Sequence, residues 1–252
     1  MKIAVVTGAS SGLGREFVVL LDTAGIDEIW VTARRKERLQ SLQKQIQTKL
    51  RVFVGDICQE NTIQSIQNAL QQENPEITYF IYAAGLGCIG TTTEIPIPNI
   101  RQMIRVNCEG AAVMTDVCLP YMKKGSHIAE LCSVAAFQPV PYLNVYAATK
   151  AFLYRYSLAL AAELKPKGIV VTAVCPYWVK DTEFISIALQ TNQSSHFCRY
   201  PFADTAKKTA KRAWQDIQKG RMVSTPGWIA GWERLAAACI PVKWLMWFCR
   251  YL

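Results

Sequence analysis

The fold of this chain is decided by Thr7-Gly8-Ala9-Ser10-Ser11-Gly12-Leu13-Gly14. The stretch follows an apolar run at residues 3–7, which predicts a strand, and it opens an amphipathic run at residues 13–24, which predicts a helix. Glycines in such a turn let the backbone approach a pyrophosphate, and the helix N-terminus offers it free N–H groups. The spacing G-x-x-x-G-x-G is neither G-x-G-x-x-G nor a P-loop. Its position favours a nucleotide-binding turn over a purely structural one.

Short β-branched runs and amphipathic stretches alternate along the rest of the chain. Strands are predicted at residues 28–32, 52–54, 78–82, 127–132, 169–174 and 221–224, and helices at residues 36–49, 62–72, 100–122 and 145–164. This alternation predicts an α/β fold with a doubly wound, mostly parallel sheet that is covered by helices on both faces. Ligands bind such sheets beyond the carboxyl ends of the strands.

Length and composition predict one domain with an appended tail. The chain has 252 residues, of which 51% are hydrophobic, and no internal repeat or Pro/Gly/Ser-rich linker interrupts it. We expect a single domain at residues 1–225 and an aromatic tail at residues 226–252. Nine cysteines without paired spacing, two histidines and no N-terminal targeting pattern predict a cytoplasmic protein with reduced thiols and no metal site.

The net charge of +9 indicates an anionic partner. The basic residues are scattered and do not alternate with aromatic residues, which argues against nucleic acid as that partner. An anionic cofactor and an anionic membrane surface remain as explanations.

With its flanking residues, the glycine turn resembles the T-G-x-x-x-G-x-G signature of the short-chain dehydrogenase/reductase family. The resemblance extends from Lys2 to about Thr182, roughly 70% of the chain. It implies a Rossmann-type fold, hydride transfer between a nicotinamide and a carbonyl or alcohol, and a homo-oligomer (dimer or tetramer) built through the helices that contain Asn107 and Tyr146. The cofactor-binding residues that it implies are Gly8, Ser10, Ser11, Gly12, Leu13, Gly14, Arg34, Asp56, Ala84, Gly85, Asn107, Tyr146, Lys150, Pro176, Val179 and Thr182.

Four residues match the family's catalytic tetrad. Tyr146 and Lys150 are four residues apart on a predicted helix, so the phenol and the ammonium share one face. A nearby Lys⁺ and the charge of oxidised nicotinamide favour the phenolate, so we expect a lowered pKa for Tyr146. Ser133 has the family's spacing to Tyr146, which implies that it polarises the substrate oxygen. Asn107 matches the family's water-holding helix Asn; a surface position or a helix irregularity is the alternative.

The end of the second predicted strand indicates which nicotinamide is bound. NAD-binding proteins place an Asp or Glu there to bind the ribose hydroxyls, whereas this chain has Ala33 followed by Arg34 and Arg35. A guanidinium pairs well with the 2′-phosphate of NADP, and Arg34 stands where NADP-preferring family members carry their basic residue. We therefore expect NADP(H). The alternative is a solvated helix start, which explains Arg35, Lys36 and Arg38.

Two segments depart from the family's pattern. Residues 82–85 read Tyr-Ala-Ala-Gly where N-N-A-G is usual, so Ala84 and Gly85 keep a small backbone approach while both amide side chains are missing. After the sixth predicted strand, Tyr177 replaces a glycine and Thr182 lies one residue later than the usual threonine, which puts its contact with the nicotinamide in doubt. Asp56 has the position of the family's adenine-contacting Asp and equally that of an ordinary turn residue.

Four aromatic residues near the predicted carboxyl ends are candidates for the substrate pocket. Tyr177 and Trp178 follow the sixth strand, and Phe137 and Tyr142 lie in the loop before the Tyr146 helix. Large flat contacts there favour an apolar substrate. Ordinary core aromatics are the alternative for each of the four.

The tail at residues 226–252 mixes aromatic and cationic residues, among them Trp228, Trp232, Trp244, Arg234 and Lys243. It lacks the ~20 consecutive apolar residues of a membrane span. Three hypotheses fit this composition: the tail lies on a membrane interface, packs over the substrate site, or packs against another subunit.

Together these patterns predict an NADPH-dependent oxidoreductase that reversibly reduces a carbonyl to an alcohol, with a steroid-like or acyl-like ketone as substrate. The expected location is cytoplasmic, with peripheral contact to the inner face of the membrane if the tail lies on lipid. The alternative is a non-catalytic NADP-binding sensor or membrane-associated scaffold on the same fold.

Overall fold

The structure, a computed structural model, describes residues 1–193 and 200–249. Within them, seven strands form one sheet in the order β3-β2-β1-β4-β5-β6-β7, and every neighbouring pair is parallel. The strands are β1 Lys2–Thr7, β2 Glu28–Ala33, β3 Lys49–Val54, β4 Glu76–Tyr82, β5 Met122–Leu131, β6 Val170–Val174 and β7 Val223–Ser224. The predicted doubly wound α/β fold is confirmed.

Helices cover both faces of the sheet. They are α1 Gly12–Leu21, α2 Lys36–Gln43, α3 Glu60–Glu73, α4 Ile97–Ile104, α5 Gly110–Cys118, α6 Asn144–Leu164, α7 Glu183–Ala188, α8 Ala206–Gln218, α9 Trp228–Cys239 and α10 Val242–Cys249. On β1, Ile3 and Val5 pack into one hydrophobic cluster with α3, α5 and α6, while Ala4 and Val6 pack into a second cluster with α1, α2 and α8. A strand that is buried on both faces consists of consecutive apolar residues, which is why β1 could be predicted from the sequence.

Two strands begin at least three residues earlier than predicted. β3 starts at Lys49 rather than residue 52, so α2 ends at Gln43 rather than residue 49, and β5 starts at Met122 rather than residue 127. Pairing in a parallel ladder uses main-chain groups, so a charged residue can begin a strand. Lys49 pairs with Glu28 in the ladder, and its ammonium lies 2.5 Å from that carboxylate.

The helices also differ from the prediction, and two differences matter for the site. The helix expected at residues 100–122 is divided by a π-helical turn, Arg105–Glu109, into α4 and α5. The helix α8 was not predicted, because its buried face consists mainly of small residues such as Ala206, Ala210 and Ala213, which give a weak apolar pattern.

The order of the strands locates the ligand crevice. From β1 the chain passes to β2 and β3 on one side of the sheet, then returns to β4 on the other side. The direction of winding therefore switches between β1 and β4, and the glycine turn lies at the carboxyl end of β1, where open α/β sheets bind ligands. No helix within residues 1–193 and 200–249 is long and apolar enough to cross a bilayer.

The C-terminal segment folds back towards this end of the sheet. Helix α9 contacts the 3₁₀ turn Val134–Ala136, which follows β5. Ala230 is buried, while Trp228, Trp232 and Trp244 are exposed. Residues 250–252 of the predicted tail lie outside the described residues.

Candidate active site

The glycine turn is locked against the end of β4. Gly8 has φ +66°, and a Cβ built on it would lie 2.7 Å from the carbonyl oxygen of Ala83. A Cβ on Gly14 would lie 2.5 Å from the carbonyl oxygen of Gly8. The Thr7 hydroxyl accepts hydrogen bonds from the backbone N–H groups of Ala83 and Ala84, both at 3.1 Å. Thr7 thus joins β1 to β4 at the segment where the family's usual amide side chains are missing.

A cavity of about 470 Å³ opens beyond the carboxyl ends of the strands. This volume is typical of small-molecule and cofactor sites. Its walls include every residue predicted to bind the cofactor except Asn107: Gly8, Ser10, Ser11, Gly12, Leu13, Gly14, Arg34, Asp56, Ala84, Gly85, Tyr146, Lys150, Pro176, Val179 and Thr182. Ser133 lies on the same wall as Tyr146. The segments that carry these residues are far apart in the sequence and converge only because the strands end at one edge.

Tyr146 and Ser133 form the polar centre of the cavity. The Ser133 hydroxyl lies close enough to the Tyr146 phenol to act on its pKa, and it accepts a hydrogen bond from the backbone N–H of Ala135 at 3.2 Å. Burial raises the pKa of Tyr146 well above its usual value, and the nearby Ser133 hydroxyl only partly opposes this. The expected lowering is therefore wrong for the chain by itself. The phenol stays protonated at neutral pH, which is the form that can donate a proton.

Lys150 stands one helical turn after Tyr146, as predicted. Its Nζ donates to the carbonyl oxygen of Leu131 at 2.6 Å and lies 5.8 Å from the centre of the Tyr146 ring. Burial lowers the pKa of Lys150. A Cβ built on Gly85 would lie 3.5 Å from this nitrogen, an ordinary contact distance, so Gly85 lies directly beside the Lys150 ammonium.

Asn107, predicted to hold a water near the cofactor, lies one layer behind the cavity and is not part of its wall. It sits in the π-helical turn and is fully buried. Its amide donates to Leu86 O at 2.8 Å and to Thr149 Oγ1 at 2.9 Å, and its Oδ1 accepts from Leu86 N at 3.0 Å. Oδ1 also lies beside Gly85, 3.6 Å from a Cβ built there. Asn107 thus fixes the backbone on which the cavity wall is built, and the helix irregularity considered from the sequence is present as well.

Tyr82 supports the π-helical turn, a role that sequence reasoning missed. Its hydroxyl donates to the carbonyl oxygen of Val106 at 2.6 Å. A Cβ on Gly110 would lie 2.6 Å from that hydroxyl. Within the altered segment at residues 82–85, Tyr82 therefore donates a hydrogen bond to the residue before Asn107 in the π-helical turn.

The two arginines after β2 have different surroundings. Arg34 is exposed, lines the cavity, and makes no hydrogen bond or ion pair within the described part of the chain. Arg35 donates to the hydroxyls of Ser11 and Ser10, at 2.8 and 3.1 Å, and pairs with Glu183. Arg34 is thus available to an incoming anion, whereas Arg35 is not simply a solvated helix start.

Asp56 and Thr182 already have partners in the chain. Asp56 accepts from the backbone N–H of Cys58 at 2.9 Å, so the turn role is present, and it also lines the cavity. Thr182 precedes α7 and donates to the carbonyl oxygen of Val179 at 3.0 Å. Its methyl group lies 3.4 Å from a Cβ built on Gly12, so it faces the glycine turn.

Two of the four predicted substrate-pocket residues line the cavity, and two do not. Tyr177 and Trp178 are in its wall. Phe137 instead packs edge-on against Tyr154, with 5.3 Å between ring centres. Tyr142 has φ +65°, and its strained turn packs beside the cavity without lining it. Gln138, Val140 and Leu143 of the same loop take these places in the wall.

Glu233 also lines the cavity and was not predicted. It belongs to α9, in the segment whose aromatic and basic residues predicted the tail. Burial raises its pKa to about 7, and its charge acts on Tyr177. This placement favours packing over the substrate site among the three hypotheses for the tail. Within the described residues, no group of three or more His, Cys, Asp or Glu side chains could hold a metal ion.

Comparison with known proteins agrees with this geometry. A family model described as short chain dehydrogenase matches residues 2–192. An uncharacterized oxidoreductase of Staphylococcus epidermidis is 32% identical over 177 residues, which are 69% of this chain and 76% of the relative.

Solved structures with the same fold hold both nicotinamide cofactors. A short-chain dehydrogenase from Sphingobium yanoikuyae in complex with NADPH has a TM-score of 0.80 at 23% identity, covering 94% of this chain and 93% of that one. A short-chain dehydrogenase/reductase from Burkholderia phymatum in complex with NAD also has a TM-score of 0.80, at 20% identity, covering 96% and 95%. At these identities the likeness shows the fold alone.

Proposed function

This chain belongs to the short-chain dehydrogenase family, and we propose on that premise that it catalyses the reversible, NADPH-dependent reduction of a carbonyl group to an alcohol. The resemblance found in the sequence is thereby confirmed, and the chain is an oxidoreductase. One observation carries the reaction: Ser133, Tyr146 and Lys150 line the same cavity as the glycine turn.

The residues around the glycine turn fit a dinucleotide phosphate. Side chains are excluded at Gly8 and Gly14 by backbone contacts below 3 Å, so the backbone stays open to a pyrophosphate. Arg34 carries a guanidinium without a partner in the described chain and suits a 2′-phosphate. Because the similar solved structures hold NADPH in one case and NAD in the other, the preference for NADP(H) rests on Arg34. When bound, NADPH supplies the hydride that the carbonyl carbon receives.

Tyr146 supplies the proton in this scheme. Its phenol is protonated at neutral pH and passes its proton to the carbonyl oxygen, which becomes the alcohol oxygen. Ser133, beside the same phenol, donates its hydroxyl hydrogen to the substrate oxygen and orients it. The ammonium of Lys150 stabilises the phenolate that remains. In the reverse direction the phenolate takes the proton of the alcohol.

The substrate end of the cavity supports a ketone with an apolar body. Its wall includes Val140, Leu143, Trp178, Phe184 and Ile187, all apolar or aromatic. Burial of such surface contributes about 25 cal/mol per Å². A steroid-like or acyl-like ketone fits this lining better than a sugar does.

A non-catalytic NADP-binding sensor on the same fold is the competing function. Such a sensor would explain both departures from the family's pattern, the altered residues 82–85 and Tyr177 in place of a glycine. In the fold, however, Tyr82 and Thr7 make the hydrogen bonds of that segment, so its departure from the family's pattern does not indicate a lost site.

Tyr146→Phe tests the proposal. We expect it to bind NADPH as the wild type does and to lose at least about a thousandfold in kcat for any ketone that the wild type reduces, because the proton donor is gone. Tyr154→Phe is the matched control, since it removes a phenol from the same helix, two turns further on, outside the cavity wall. NADPH oxidation is followed with a panel of steroids, 3-oxoacyl thioesters and aryl ketones. Equal turnover in Tyr146→Phe and wild type would leave the sensor as the better explanation.

We also propose that the outer face of α9 and α10 contacts an anionic membrane surface. Trp228, Trp232 and Trp244 are 73%, 65% and 60% exposed, and Arg234 and Lys243 lie among them. We expect the wild type to sediment with phosphatidylserine-containing vesicles in low salt, and a variant with the three tryptophans changed to serine to stay in the supernatant. Recovery of both proteins in the supernatant contradicts the proposal.

A homo-oligomer through α4, α5 and α6 is a further proposal, which the family resemblance implies. Ile104, Val113 and Phe152 on these helices are apolar and 37–48% exposed, as an interface between subunits requires. Light scattering should give the mass of a dimer or tetramer, and Phe152→Glu should lower it. A monomeric wild type contradicts this proposal.

A further inference from the structure

Glu233 brings an acid into the part of the cavity that holds the substrate. It lies on α9, which contacts the turn Val134–Ala136 directly after Ser133. It is near enough to Tyr177, after β6, to act on that phenol electrostatically. Tyr177 and two residues of that turn, Val134 and Ala135, line the cavity together with Ser133 and Tyr146.

The Glu233 carboxyl lacks a partner within residues 1–193 and 200–249. It forms no hydrogen bond or ion pair there, although the side chain is half-buried in a largely apolar wall. An ionised carboxylate loses hydration in such a place, and without a cation or donor the loss is not compensated. A half-buried carboxyl group without a protein partner inside a cleft is typical of a binding site, where the ligand supplies the hydrogen bond or the opposite charge.

We propose that Glu233 is a specificity-determining residue that binds a protonated amine on the substrate, so that the preferred substrate is a ketone with an apolar body and one ammonium group. This inference rests on the proposed function and narrows its substrate class. The apolar wall packs against the body of the substrate. Ser133 and Tyr146 donate hydrogen bonds to its carbonyl oxygen, and the Glu233 carboxylate accepts hydrogen bonds from its ammonium group. An ammonium donates charge-assisted hydrogen bonds to a carboxylate, which are about twice as strong as neutral ones.

The charge of Glu233 makes this preference depend on pH. Burial raises its pKa to about 7, so the carboxylate forms as the pH rises through neutrality. Burial raises the pKa of Tyr177, the nearest phenol, to about 12, so it stays neutral in this range. The turn Val134–Ala136 has no ionisable side chain, and Arg234, the next residue along α9, is exposed. At the start of α9, Arg212 is already paired with Asp204.

The experiment compares two ketones that differ only in charge, 4′-(aminomethyl)acetophenone and 4′-ethylacetophenone. We expect wild type to favour the amino ketone in kcat/KM by about tenfold or more at pH 8, the size of one charge-assisted hydrogen bond. In Glu233→Gln that ratio should fall to near one. Glu163→Gln, the same change at an exposed position on α6, should keep the wild-type ratio. Both ketones are reduced by the same Tyr146 and Lys150, so any effect of their titration on kcat/KM is common to both and cancels in the ratio.

Two further measurements keep the test decisive. In wild type alone, the ratio should fall as the pH is lowered from 8 to 6, so the idea is tested even if Glu233→Gln fails to fold. Calorimetric binding of both ketones separates this site from the chemistry: tighter binding of the amino ketone in wild type without turnover of either supports Glu233 and counts against the proposed reaction. A ratio near one at every pH, with equal binding of the two ketones, overturns the inference.

Discussion

Glu183, the first residue of α7, forms an ion pair with Arg35 across the cleft, with 2.6 Å between Oε2 and Nη1. Its other oxygen lies 2.8 Å from Nη2 of Arg38. Arg35 also donates to Ser10 and Ser11 of the glycine turn. One carboxylate therefore forms ion pairs with two arginines beside the place where the phosphates of a dinucleotide would lie. These ion pairs connect α7 to the cofactor-binding half of the cavity.

Glu183→Gln should lower the Kd for NADPH severalfold, because the carboxylate competes with the cofactor's phosphates for Arg35 and Arg38. Hydrogen bonds from Arg38 and then Arg35 lower the pKa of Glu183 to about 2, so the competition should be constant between pH 5 and pH 9. All three side chains are more than a third exposed, so high salt should shrink the difference. Fluorescence titration with NADPH measures the Kd.

The control for this prediction is Glu37→Gln, which removes an exposed acid from the first turn of α2. It should leave the Kd within about twofold of wild type, since it makes no ion pair to these arginines. Weaker NADPH binding in Glu183→Gln than in wild type would mean that Glu183 holds the cleft in its binding form instead of competing for it.

The Glu183–Arg35 pair also illustrates what sequence reasoning could not reach. Its partners are 148 residues apart, and neither belongs to a spacing pattern that chemistry demands. The glycine turn and the Tyr146–Lys150 pair were predicted because their function fixes a local spacing, and β1 because burial on both faces gives an unbroken apolar run. Glu233 was missed for the same reason as Glu183, since its importance comes only from where α9 packs.

Arg34→Ala should raise the Kd for NADPH by about tenfold to a hundredfold and leave the Kd for NADH nearly unchanged, because one charged hydrogen-bonding partner of the 2′-phosphate is lost. Lys36→Ala is the matched control, since Lys36 is an exposed cation two residues further on that does not line the cavity. It should keep the wild-type preference. A parallel loss for NADPH and NADH in Arg34→Ala would show that the guanidinium does not read the 2′-phosphate.

Gly14→Ala should unfold at a lower temperature and bind NADPH weakly. The new Cβ would lie 2.5 Å from the carbonyl oxygen of Gly8, a backbone atom that cannot turn away, and such overpacking costs about 1–3 kcal/mol. Gly231→Ala makes the same change inside α9, where the Cβ meets only Thr225 Oγ1 at 3.7 Å. There the higher helix propensity of alanine should keep or raise stability by up to about 1 kcal/mol. Equal melting temperatures for Gly14→Ala and wild type would show that the turn can open.

Asn107 shows a different limit of sequence reasoning. Its residue type and spacing were enough to single it out, but not to show that its side chain is hydrogen-bonded to Leu86 and Thr149 one layer behind the wall. Phe137 and Tyr142 show the same limit: both were predicted to line the substrate pocket, and both lie near the cavity without lining it. Chain proximity places a residue within a few ångströms of a cavity; the rotation of the loop decides whether it lines that cavity.

Glu130→Gln should stabilise the fold, and more so as the pH rises. Glu130 is fully buried on β5, and burial raises its pKa well above the usual value. The Thr115 hydroxyl has one hydrogen but lies 2.8 Å from Ala111 O and 2.9 Å from Glu130 Oε1, so a proton on Glu130 allows both contacts. The folded state keeps that proton while the unfolded chain releases it above about pH 4.3. Wild-type stability therefore falls with rising pH by up to about 1.4 kcal/mol per pH unit from this group.

Gln cannot titrate, so the melting temperature of Glu130→Gln should exceed that of wild type by a margin that grows between pH 5 and pH 8. Thermal unfolding followed by circular dichroism at several pH values measures that margin. Glu163→Gln, at an exposed position, should show no margin that depends on pH. A constant or shrinking margin for Glu130→Gln would mean that the folded protein holds this carboxylate charged, with Lys150, whose charge favours the carboxylate, compensating for its burial.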